Sequence, residues 1–175
     1  MPVSTVPYAG LTSPLGGSVI NSGTAVASTS GTSIDFTSIP SWVKRITVMF
    51  SGTSLSGTSQ YLVQIGAGSV TSSGYSSAGS AFTNTSTATV LTSTAGFVIR
   101  NPANAATLLN CIMTIVNITG NTWVSNHSYG ESGTGAIGTG GGNLALGGTL
   151  DRVRITTVNG TDTFDAGSIN ILYEG

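Results

Sequence analysis

Apolar and polar residues alternate along most of this chain, which is the period-two pattern of strands with one face in a core. Ser33-Ile34-Asp35-Phe36 shows it briefly. Val43 to Ser51 shows it at length, with Ile46, Val48 and Phe50 as the predicted core face. Gln60 to Gly66 places Tyr61, Val63 and Ile65 together, and Thr122 to Tyr129 does the same for Trp123, Ser125, His127 and Tyr129. Near the end, Val153 and Ile155 alternate with Arg152, Arg154 and Thr156, and Gly167 to Tyr173 reads as a closing strand. The ten residues between Val158 and Ser168 hold an Asn-Gly pair but are too many for a tight two-residue hairpin, so a longer connection is expected.

Leu108 to Ile118 departs from simple alternation because both faces carry apolar residues. Its β-branched content favours a strand over a helix. A strand apolar on both sides is buried on both, mid-sandwich or against a neighbouring subunit. Between these runs, Ser51 to Ser59 and Gly130 to Gly148 read as loops, the second entering a short strand before Leu150. Residues 66 to 95 read as short strands and loops anchored by Tyr75, Phe82, Val90 and Leu91, and Gly96 to Arg100 reads as a strand halted by Asn101-Pro102. About ten short strands with Gly/Ser turns predict an all-β fold, a β-sandwich of jelly-roll type. Pro2, Pro7 and Pro14 among several glycines make residues 1–23 an extended arm, either a frayed terminus or an attachment peptide. Residues 24–175 form one domain.

Charge changes the picture more than length does. Charged residues are 6% of 175, against about 25% in ordinary soluble domains, and the net charge is −1. Lys44, Arg45, Arg100, Arg152 and Arg154 are too few and scattered for a phosphate-binding stripe, so no nucleic-acid partner is expected. Aromatic and β-branched residues throughout argue against disorder. No apolar run approaches the roughly twenty residues that cross a bilayer, so no membrane insertion is expected, and no export signal is visible. Cys111 is the only cysteine, which excludes an internal disulfide.

Candidate chemistry is sparse. Gly133-Thr134-Gly135-Ala136-Ile137-Gly138 has dinucleotide-binding spacing, but Gly140 to Gly142 follow where that site needs a helix. His127 and Cys111 stand alone, with no zinc-ligand spacing around them. His127 could pair with Asp151, Asp162 or Asp165 in a triad, but no Gly-x-Ser-x-Gly elbow exists, and a hydrogen-bonded structural histidine is the better reading. Asp162 and Asp165 read as turn residues rather than calcium ligands. Neither catalytic residues, cofactor nor metal are assigned. Tyr75, Trp123 and Tyr129, with Asn126 among the flanking polar residues, could cover the C–H face of a sugar while amides and hydroxyls pair with its OH groups. Trp123 is the better core candidate, which leaves Tyr75, Asn126 and Tyr129 as the predicted glycan-binding set.

Ile34-Asp35-Phe36-Thr37-Ser38-Ile39-Pro40-Ser41-Trp42-Val43-Lys44-Arg45-Ile46-Thr47-Val48 resembles a module of tail-fibre and related virion proteins of tailed bacteriophages. The ending from Leu150 to Ile171 is similar to the end of the same module. The resemblance implies a virion surface protein, a β-sandwich and a homotrimer, and carries over no site residues. The expected function is a non-enzymatic phage virion component that adsorbs to host surface glycan. The alternatives are a decoration protein held on capsid or tail through residues 1–23, and a glycan depolymerase.

Overall fold

The computed structural model describes residues 20–84, 88–99, 104, 105, 107–133 and 135–175. Most of the predicted arm, Arg100 with the Asn101-Pro102 stop, and Thr134 of the glycine motif lie outside them. The described chain is all-β. In order, the strands are β1 (Ile20–Ser22), β2 (Val26–Ala27), β3 (Ile34–Phe36), β4 (Arg45–Leu55), β5 (Tyr61–Ala67), β6 (Ser69–Val70) and β7 (Ser76–Phe82). They continue as β8 (Ala88–Ser93), β9 (Phe97–Ile99), β10 (Leu108–Thr119), β11 (Thr122–Ser132), β12 (Ile137–Ala145), β13 (Arg152–Thr157) and β14 (Phe164–Glu174).

Two antiparallel sheets form. The larger runs β1-β14-β4-β10-β11-β12-β7-β8, with β2 in line with β1 on the outer edge of β14. The smaller runs β3-β13-β5-β6, with β9 also on β5. Alternation decides what lies between them. Ile46, Val48 and Phe50 of β4, Met113 and Ile115 of β10, and Ile169 of β14 are buried, as are Tyr61, Val63, Ile65, Val153 and Ile155 of the smaller sheet. Phe50 meets Tyr61 edge-on at 6.0 Å, and Tyr75 meets Phe97 edge-on at 5.0 Å. Such pairs add about 0.5–1.5 kcal/mol each beyond area burial.

Several expectations are corrected. Fourteen strands are present among the described residues rather than about ten. The arm ends earlier than residue 23, because β1 pairs with β14 and the Gly23 N–H donates to the Ile171 carbonyl. β4 continues through Ser51 to Leu55, where a loop was expected. There the Ser54 hydroxyl donates to Asp165, and Leu55 is buried. β13 and β14 belong to different sheets, so their connection is a crossover. The Asn159 side chain shapes it by accepting the N–H groups of Thr161 and Asp162. The larger correction is β12, nine residues of strand in a stretch expected to be mostly loop. Phe82 and Val90 are exposed and anchor nothing, and only one face of β10 is covered within the subunit.

Candidate functional site

Glycine explains both the β12 strand and the surface above it. Within a strand, glycine marks a place where another group approaches closely. On the inner side, Gly138, Gly140 and Gly142 stand opposite Tyr129, His127 and Ser125 of β11. A Cβ on Gly138 would meet Tyr129 Cε1 at 2.3 Å, and one on Gly140 would meet His127 Cε1 at 2.4 Å. The two rings stack at 6.2 Å and 23° in the room the glycines leave, and the Tyr129 hydroxyl reaches past β12 to donate to the Ser80 carbonyl of β7.

On the outer side, Gly141 stands between Asn126 of β11 and Ala78 of β7, and Ala78 is followed by Thr92 of β8. Two of these four side chains are a hydrogen and a methyl group. A trough of about 740 Å³ opens there, flanked by Val124 and Asn143 on one side and by Thr92 and Thr94 on the other. No charged side chain lines it. That lining suits a neutral, polyhydroxylated ligand: amide and hydroxyl groups supply directional hydrogen bonds, and Val124 and bare glycine backbone supply apolar contact. It holds no group able to move a proton at neutral pH.

The structure scatters the predicted glycan set. Tyr75 is buried, its ring against Phe97 and its hydroxyl bonded to the Ile65 N–H and to the Ile65 and Thr71 carbonyls. It reaches the trough only as part of the floor, and burial pushes its phenol pKa upward. Tyr129 is buried beneath β12 and presents no ring to solvent. Asn126 alone of the three is exposed, opposite Gly141 and beside the trough without lining it. Alternation accounts for these positions: Tyr129 shares the inner face of β11 with Trp123, which is buried as expected, whereas Asn126 points the other way. Trough-lining residues outside the predicted set are Gly141, Ala78, Thr92 and Asn143, and the run Gly140 to Gly142 is the sequence feature that marks them.

No triad assembles. His127 is buried, and neither ring nitrogen has a hydrogen-bond partner among the described residues, contrary to the expected hydrogen-bonded histidine. Burial pushes its pKa down to about 4. Asp162 accepts the Ser59 N–H and the Asn159 side-chain amide, and Asp165 accepts the Ser54 hydroxyl. Asp151 accepts the Gly68 N–H and pairs with Arg152, which holds its carboxyl below the usual range. Cys111 is buried, and burial pushes its thiol up to about 12. Among the described residues no group of three or more His, Cys, Asp or Glu could hold a metal ion, and no helix is long and apolar enough to cross a membrane. The chain matches no protein-family model, no curated protein and no solved structure.

Proposed function

We propose that this chain is a bacteriophage virion surface module, a jelly-roll-type sandwich displayed as a homotrimer, which adsorbs to neutral host glycan and performs no chemistry on it. The uncharged trough over Gly141 and Ala78 carries the reading. Its volume lies within the roughly 300–1,000 Å³ of small-molecule sites, and its lining offers hydroxyls and an amide. The resemblance of the two blocks at Ile34–Val48 and Leu150–Ile171 supports the virion assignment. The absence of any carboxylate from the trough lining favours adsorption over depolymerisation, since glycoside cleavage ordinarily needs two acids flanking the bond.

A glycan array probed with the purified chain tests this reading, with Ala78→Phe as the companion variant. Ala78 is exposed, so a phenyl ring there fills the trough without entering the core. The expected result is retention of neutral glycans by the wild type and at least tenfold weaker retention by Ala78→Phe. Equal retention by both places the ligand elsewhere, and no retention of any glycan removes the adsorption reading.

A further inference from the structure

The two outer faces of the sandwich differ in kind. The smaller sheet meets solvent with ion pairs, Arg154 on Asp35 and Arg152 on Asp151. The larger sheet has one ion pair at one end, Arg45 on Glu174, and beyond it an apolar stripe. Ile112 is 59% exposed and Ile118 61%, both pointing outward from β10. Met49 stands opposite Ile112, so the two adjoin across strands on a surface that Val116 continues; Val124, opposite Val116, is where this surface borders the trough. From β10 through β8, Glu131 is the only charged residue among those described, and it is buried. An ordinary antiparallel sheet turns polar residues to water on its open side. This one does not.

We infer that the outer face of β14, β4, β10 and β11 is where copies of this chain pack against one another. Three observations select a second copy as the occupant. The stripe itself carries no charge, and on the flanking strands Arg45 is paired with Glu174 and Asp165 accepts the Ser54 hydroxyl. Two copies therefore meet without unpaired like charges, whereas a charged partner would be desolvated against the stripe with nothing to pair. Strands of 11 or 12 residues, at about 3.3 Å per residue and 4.8 Å between strands, give this face roughly 700 Å². That is close to the roughly 800 Å² each partner contributes to a standard interface. Beside Ile112, a hollow of about 390 Å³ opens at Gly130 and can receive a partner side chain. The inference names the surface through which the proposed homotrimer assembles, and it rests on that part of the reading.

Sedimentation velocity on the full chain at micromolar concentration tests it, with Ile112→Glu, Ile118→Asp and, at the far edge of the same sheet, Val90→Glu. The wild type and Val90→Glu are expected to sediment as one assembled species. Ile112→Glu and Ile118→Asp are expected to sediment as monomers with unchanged thermal transitions, an association at least a hundredfold weaker. An assembled wild type whose Ile112→Glu and Ile118→Asp forms stay assembled overturns the surface and leaves the trimer standing. A monomeric wild type overturns both. Should Ile112→Glu fail to fold, Ile118→Asp, near the end of β10, decides alone. Glycan retention per subunit, measured on the same samples, separates either failure from that of the adsorption reading.

Discussion

His127 occupies the space that a side chain on its cross-strand partner Gly140 would need. A Cβ at Gly140 would stand 2.4 Å from His127 Cε1 and 2.5 Å from the Ala78 carbonyl oxygen. Gly140→Ala therefore overpacks a closed site and is expected to cost about 1–3 kcal/mol. Gly138→Ala is expected to cost as much, its Cβ meeting Tyr129 Cε1 and the Ser80 carbonyl oxygen. Gly130→Ala has nothing within 4 Å and is expected to change stability by less than about 0.5 kcal/mol. Urea denaturation of the three variants checks the ordering. Equal tolerance at all three positions would contradict the packing described.

The same histidine makes the fold acid-sensitive. In the unfolded chain its pKa is near 6.5, and burial holds the folded value near 4. Between those values the unfolded chain binds a proton that the folded chain does not. Stability is therefore full above about pH 6.5 and falls as pH drops toward 4, by about 3 kcal/mol at most. His127→Phe keeps a ring beside Tyr129 and removes both unpartnered nitrogens, so its stability is expected to stay flat across that window. Asp151, held below the usual carboxylate range by Arg152, keeps its contribution across that window and loses it only at lower pH, where the carboxylate is protonated. Denaturant midpoints at steps of pH from 7 to 4 give the comparison.

Much of this fold was legible in the sequence because alternation is a local signal. Ile46, Val48, Phe50, Val153 and Ile155 are buried as their spacing predicts. Alternation also carries a side-chain direction: Tyr129 lies in phase with Trp123, so the two share a face. β12 was illegible for a physical reason. Glycine has no side chain to alternate, and it costs about 0.5–1 kcal/mol per residue in a regular element. Gly138 and Gly140 lie against the Tyr129 and His127 rings of β11, and Gly142 against Ser76 and Ser77 of β7, contacts the sequence does not display. The trough followed it out of sight, since its floor is built from what Gly141 and Ala78 lack. Leu108 to Ile118 was legible as doubly apolar, but whether its second face met the same chain or another was a question of tertiary structure.

The Arg154–Asp35 pair joins β13 to β3 through two contacts of 2.7 and 2.9 Å, with both side chains more than a third exposed. Exposed pairs contribute about 0–1 kcal/mol even with good geometry. Asp35→Asn is expected to lose less than about 1 kcal/mol, and less again at high salt. A larger loss in chemical denaturation would mean the β3 edge depends on this pair rather than on Ile34 and Phe36.

The Cys111 thiol faces the core from β10 and is 3% exposed. Thiolate is the reactive form, and with the pKa near 12 almost none exists at pH 8. Iodoacetamide is expected to leave the folded protein unmodified and to label it fully in denaturant, as intact mass shows. Labelling of the folded protein at the rate of a free thiol would mean that β10 opens.

In the proposed function, an uncharged surface holds a neutral glycan. Calorimetric titration of the wild type with the best array ligand, as salt rises from about 0.05 to 0.5 M, tests it most directly. Screening weakens exposed charge–charge contacts over that range and spares hydrogen bonds between neutral groups. The expected affinity changes less than about twofold over that range and is lost in Ala78→Phe. An affinity that collapses with salt, or persists undiminished in Ala78→Phe, would contradict it.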